Sequence, residues 1–201
     1  MSSGPNIALT INGHRLDHDT IINIVEPGTR VLDLGCGDGT LLVKMVQRRQ
    51  VVARGVELSE TNVRACISRG LSVRQGNIEE GLADYRNKAF DYVLLSQTLA
   101  FLDRPEPVVR EMLRVGKHAI ISFENCGFWR ERLRALRGAG AGYELCSGEP
   151  RTRAISLRQF ESFTNCVNAR IERVFYLGNT HPIRVLPVLR AVIGVYVITQ
   201  A

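Results

Sequence analysis

A chain of 201 residues that is 45% hydrophobic and 23% charged has room for one ordinary domain with a sizeable core. This composition excludes the disordered and collagen-like classes. The formal net charge of +6 raises nucleic acid as a partner, yet the 23 arginines and 3 lysines are scattered, with no run of five like charges.

The densest group, Arg130, Arg132, Arg134 and Arg137, is interrupted by Glu131 and reads as a solvated helix face, so nucleic acid is not expected. The five cysteines never form a C-x-x-C pair, which argues against a zinc centre and against a disulfide framework. The first residues carry no charged-then-apolar signal pattern, so a reducing, cytoplasmic setting is expected. The most apolar stretch, 183–199, is broken by Arg184, Pro187 and Arg190 and is too short to cross a bilayer; no membrane association is expected.

In chain order, residues 1–14 read as a mobile leader and 16–25 as a lid or packing helix. A buried strand is predicted over 30–34, a helix over 41–47, a strand over 51–58, a helix over 60–69 and a third strand over 71–75. Residues 90–96 (FDYVLLS) form a fourth strand. Pro105 opens a helix that runs to Val115, where its fixed φ and missing N–H are tolerated. Residues 117–123 form a fifth strand. Beyond it come a helix over 129–137, a long loop or cap over 138–155, a helix over 157–167, and two antiparallel edge strands over 170–176 and 195–199. Strands alternating with helices at this spacing give βαβ units and a mostly parallel sheet with helices on both faces.

The chemistry lies in Val31-Leu32-Asp33-Leu34-Gly35-Cys36-Gly37-Asp38-Gly39-Thr40. A buried strand runs into three alternating glycines and then into a helix start, where backbone can approach a ligand closely and N–H groups lack partners. Glu57 ends the next strand, where an acidic side chain can hold the two hydroxyls of a ribose. Two ligand classes compete for such a loop. The dinucleotide fingerprint G-x-G-x-x-G/A counted from Gly35 ends on Thr40, an imperfect match, and the carboxylates of Asp33 and Asp38 would repel a pyrophosphate. A ligand carrying ammonium and sulfonium charges would be attracted instead, as in S-adenosylmethionine (SAM).

The V-L-D-L-G-C-G-D-G run resembles motif I of the class I SAM-dependent methyltransferases, which implies a seven-stranded Rossmann-like α/β fold. Further segments are similar to the MetW family of methionine-biosynthesis proteins: Gln75–Leu82, Phe90–Leu99, Glu111–Gly116 and the run Ser122-Phe123-Glu124-Asn125-Cys126-Gly127-Phe128-Trp129-Arg130. The resemblance implies SAM or S-adenosylhomocysteine as cofactor. It implies a binding set of Asp33, Gly35, Cys36, Gly37, Glu57, Leu58, Asn77, Ile78 and Ser96. In that set Asp33, Gly35 and Gly37 surround the methionyl part and Glu57 takes the ribose. Asn77 stands where the family usually has Asp facing the adenine amine, and Ser96 with Gln97 ends the strand at the reacting methyl. The family also implies homoserine O-acyltransferase as a partner, with active methyl transfer to a small molecule as the alternative role. The likeness breaks after Leu136, where Gly138–Pro150 replaces the family's aromatic, Pro-rich segment.

No catalytic residue stands out. The acceptor-end candidates are Ser96, Gln97, Glu124 and Asn125, and of these only Glu124 can act as a base, a poor one at an ordinary carboxylate pKa. His14 and His18 lie four apart without an H-E-x-x-H frame, so no metal is expected, and His18 reads as a lid residue.

Overall fold

The computed structural model describes residues 10–11, 14–129, 154–178, 182–183 and 185–201. The predicted helix beyond Trp129 and most of the 138–155 loop lie outside the described residues. Within and just after the predicted leader, β1 (Thr10–Ile11) and β2 (His14–Arg15) pair as a small antiparallel hairpin, with Thr10 opposite Arg15. It leads directly into α1 (Leu16–Ile24).

The main sheet follows in chain order. Strand β3 (Arg30–Leu34) leads to α2 (Thr40–Arg49), and β4 (Val52–Glu57) to α3 (Glu60–Ser68). Next come β5 (Ser72–Gln75), β6 (Phe90–Ser96), α4 (Pro105–Val115) and β7 (Gly116–Glu124). The rest comprises α5 (Leu157–Cys166), β8 (Ala169–Leu177), the single turn α6 (Pro187–Arg190) and β9 (Ile193–Gln200). The seven strands lie in the order β5-β4-β3-β6-β7-β9-β8. The first five are parallel to one another; β9 is antiparallel to β7, and β8 to β9.

The predicted edge position of the last strand is corrected by this order. Strand β8 forms the edge, whereas β9 lies inside, between β7 and β8. The reason is apolarity on both faces: residues 193–198 are all buried, with Val195 and Val197 facing one layer and Tyr196 and Ile198 the other.

Two hydrophobic layers sandwich the sheet. On one face, Ile21 and Ile22 of α1 and Leu41, Leu42 and Met45 of α2 pack over Val31, Tyr92, Leu94 and Ile120. On the other, Val108, Val109, Met112 and Leu113 of α4 and Leu157 and Phe160 of α5 cover Leu32, Val93, Leu95 and Ile121. Helix α5 begins with a capping box: Ser156 Oγ accepts from Gln159 N, and Ser156 N donates to Gln159 Oε1. The centre of this second layer is aromatic. The Phe123 ring lies 4.8 Å from Phe160 and 5.7 Å from Tyr196, and Phe160 lies 4.6 Å from Tyr196.

Removing the middle ring leaves a cavity that three strands and a helix cannot close. Phe123→Ala is expected to cost about 3–5 kcal/mol. Calorimetry should show a melting point lowered by roughly 6–20 °C; a loss under about 2 °C would mean that the cluster repacks without cost.

Candidate functional site

Side chains alternate along a strand, so every second residue faces the same layer. Val31, Tyr92, Leu94 and Ile120 face α1 and α2, and therefore so do Asp33, Ser96 and Ser122 at the carboxyl ends of β3, β6 and β7. The same count along β4, from Ala53, brings Glu57 to that face. Polar residues thus replace apolar ones on one face, where the connections of an open parallel sheet reverse direction between β3 and β6, the usual place for a ligand crevice.

The glycine turn after β3 is built as its residues demand. Gly35 has φ +71°, and a Cβ there would lie 2.8 Å from Thr98, so this strand end packs backbone directly on the β6 loop. Gly37 has φ +56° with open space above its Cα, which leaves room for a ligand against the backbone. Gly35 N and Cys36 N both donate to Val56 O, tying the turn to β4. Cys36 is buried against Gly55, where a Cβ would meet its sulfur at 2.6 Å; burial pushes its thiol pKa up, as for an inert packing residue.

Glu57 is buried and holds this turn. Its Oε2 accepts from Gly37 N at 2.8 Å, and its Oε1 accepts from Ser59 N at 2.9 Å and Asn62 Nδ2 at 3.4 Å. The side chain expected to meet a ribose therefore also fixes the loop beside it. Leu58, next along, is 66% exposed and offers an apolar surface at the strand end.

Asp33 is only 2% exposed, and its Oδ1 has no hydrogen-bond partner. Burial raises its pKa to about 7; the Arg15 guanidinium opposes this, while the carboxylates of Glu57 and Asp17 reinforce it. A buried acid with an orphan oxygen suits a cationic group docked beside it.

Asp38 behaves differently from the expectation. Its carboxylate accepts from Thr40 N at 3.0 Å and Thr40 Oγ1 at 2.8 Å, and lies 3.0 Å from Arg69. These contacts outweigh its partial burial and hold its pKa below the usual range. It anchors the start of α2, and its charge is compensated, so the preference for a cation rests on Asp33 and Glu57. Asn77 departs likewise: its Oδ1 accepts from Glu79 N at 3.0 Å and caps the short turn Ile78–Glu80, so the oxygen expected to face an adenine is engaged. Ile78 is buried in the core beneath that turn.

At the other end of the crevice lies a network that the sequence analysis missed. Arg15 Nε and Nη2 donate to the two oxygens of Asp17 at 3.1 and 2.6 Å. Asp17 Oδ2 also accepts from Ser122 Oγ at 2.9 Å and Ser96 Oγ at 3.1 Å, and Arg15 Nη2 donates to Ser96 Oγ at 3.0 Å. Asp17 is 1% exposed; its pKa stays below the usual range because Arg15 and the hydroxyl outweigh the burial. Gln97, at φ +57°, strains the chain just after Ser96, and its N donates to Ser122 O. His18 is buried with Nδ1 unpartnered, and burial with the nearby Arg15 lowers its pKa to about 4, so it is neutral at physiological pH. It lies on α1, the helix read from the sequence as a lid or packing helix; among the described residues no cluster of His, Cys, Asp or Glu could hold a metal.

Asn125 leaves the acceptor candidates. Its Nδ2 donates to Ala191 O and Val188 O, and its Oδ1 accepts from Gly127 N and Leu157 N, so it joins β7 to α5 and α6. Two signals for the missed network were present in the sequence: Arg15-x-Asp17 opening a helix, and serines at the strand ends on one side-chain parity.

The raised Asp33 pKa has a sign that can be checked. Between about pH 4 and 7 the folded chain holds a proton that the unfolded chain has released, so this stabilising contribution is lost as pH rises through 7. Asp33→Asn removes the dependence, so the variant should gain on the wild type in denaturant melts from pH 5 to pH 8. A stability gap that stays constant with pH would contradict the assignment.

Comparison with known proteins bears on the family and the fold. The family model "Methionine biosynthesis protein MetW" matches residues 15–198. The chain is 37% identical over 128 residues to the bifunctional methionine biosynthesis protein MetXA/MetW of Rhodopirellula baltica, covering 60% of this chain and 20% of that protein. It is 35% identical over 97 residues to the ubiquinone biosynthesis O-methyltransferase of Hahella chejuensis, covering 45% and 40%. The chain thus spans less than half the length of either relative. Among solved structures, a SAM-dependent methyltransferase from Archaeoglobus fulgidus superposes with a TM-score of 0.68 at 14% identity, over 92% of this chain and 91% of that one. Another from Thermotoga maritima gives 0.67 at 18% identity, over 92% and 88%. The fold is that of the SAM-dependent methyltransferases, and the chain belongs to the MetW family of methionine biosynthesis proteins.

Proposed function

We propose that this chain binds SAM at the carboxyl ends of β3 and β4 and acts in methionine biosynthesis together with homoserine O-acyltransferase. The observation that carries the reading is Asp33: a buried carboxyl with an orphan oxygen beside open backbone at Gly37. In this assignment Asp33 takes the ammonium of the methionyl part. Glu57 uses its remaining lone pairs for the ribose hydroxyls, and Leu58 lies along the adenine. Ser96 marks the methyl end. The partner is supported by the family resemblance and by a relative whose name joins MetXA and MetW in one chain. No helix among the described residues is long and apolar enough to cross a membrane.

SAM bound here supplies an electrophilic methyl group. What the chain adds at that end favours binding over turnover. The carboxylate that meets Ser96 is Asp17, which Arg15 and two hydroxyls hold ionised, a poor base for an alcohol or ammonium acceptor. Active transfer to a small molecule is the second reading, favoured by the strained Gln97 at the strand end, a feature that concentrates at working sites.

S-adenosylhomocysteine at about 100 times its dissociation constant should add roughly 2.7 kcal/mol, a rise of about 5–10 °C in melting temperature, whereas NADH should add nothing. Glu57→Ala should weaken that binding roughly 10- to 150-fold, the loss of a charge-assisted hydrogen bond, while the variant still melts cooperatively. A shift with NADH alone, or full affinity without Glu57, would overturn the reading.

A further inference from the structure

The alternation that brings Glu57 and Asp33 to one face brings Arg30, Val52 and Arg54 to the other, at the opposite, amino ends of β3 and β4, and Phe90, the first residue of β6, packs on that same side. There they line a cleft of about 280 Å³ together with Asp84, Tyr85, Arg86 and Ala89 from the loop before β6. Its floor is apolar and aromatic: Val52 is 60% exposed, and Tyr85 packs edge-on against Phe90 at 5.2 Å. Its charge is lopsided. Arg30 and Lys117 share Asp91, and Arg74 pairs with Asp84, but Arg54 and Arg86 carry no counter-ion among the described residues. In the lining itself, three arginines stand against the one carboxylate of Asp84.

We propose that this cleft is a docking point for acidic side chains of a protein partner, gripped by Arg54 and Arg86 with Tyr85 beneath. Within the reading above, on which this inference rests, that partner is the acyltransferase. At about 280 Å³ the cleft sits at the lower edge of the small-molecule range, a size that suits one or two side chains. Residue type favours an interface as well, since arginine and tyrosine dominate the energetics of protein contacts. Position permits it: the cleft lies roughly 16 Å along the strands from the glycine turn, five residues at about 3.3 Å each, so partner and SAM can be bound together.

The test is the association of this chain with the homoserine O-acyltransferase of the same organism, measured by sedimentation or calorimetry at low and high salt. The pair Arg54→Glu and Arg86→Glu should weaken association at least tenfold and flatten its salt dependence. S-adenosylhomocysteine binding should be unchanged, which reports an intact fold. The equally charged control Arg64→Glu and Arg158→Glu, on exposed helix positions elsewhere, should bind as the wild type does. Equal association of the cleft variant and the wild type would overturn the cleft and leave the partnering intact. No association of the wild type would overturn the partnering, and the cleft with it. Saturable binding of phenyl phosphate that the cleft variant loses, with partner association untouched, would reassign the cleft to a small oxyanion and overturn the proposal.

Discussion

The parity of side chains along four parallel strands organises this molecule. At positions 31, 92, 94 and 120 one face of the sheet is apolar and packs on α1 and α2. One step further toward the carboxyl ends, the same parity delivers Asp33, Glu57, Ser96 and Ser122. A one-residue slip would bury these polar groups against α4 and α5 and carry the apolar set outward. The core and the crevice are therefore set by one register, and the crevice inherits the rigidity of the sheet. The mobile part of any ligand site here is confined to the loops that cap those strand ends.

Two buried acids at that end are handled in opposite ways. Asp17 is saturated: Arg15 meets both oxygens, and Ser96 and Ser122 complete one of them. Removing Arg15 would strand a carboxylate that is 1% exposed, so the pair couples the first helix to the ends of β6 and β7 whatever its net contribution. Asp33 is left with an open valence, a local cost that a folded chain keeps only where something is gained. Glu57 stands between these extremes, fixing the turn through Gly37 N while retaining capacity for a ligand. The contrast distinguishes the crevice from a phosphate-binding loop, in which backbone amides would face the ligand and acids would be kept away.

Much of this was legible in the sequence. The apolar strands, the glycine turn and Glu57 at the next strand end announced themselves by local pattern, and β3 to β7 form within a residue or two of their expected places. The interior position of β9 was hidden, because strand order depends on which face of which neighbour is left uncovered. The Arg15–Asp17 network was hidden because its partners lie 79 to 105 residues away in the chain. Asp38 misled for a related reason: the charge is visible in the sequence, but its compensating Arg69 comes from the far end of α3. Asn77 and Asn125 show the same limit, since an amide that caps a turn or bridges two elements looks identical to one that awaits a ligand.

The claim on which the account depends is that Asp33 ionises to receive a cation. Isothermal calorimetry of SAM binding at pH 6, repeated in two buffers of different ionisation enthalpy, measures this directly. With the Asp33 pKa near 7 in the free chain, binding should release a proton, so the observed heats should differ between buffers and affinity should rise toward pH 7. Asp33→Asn should bind weakly and without that difference. Tight, proton-neutral binding by the wild type, or equal affinity in the variant, would contradict the account.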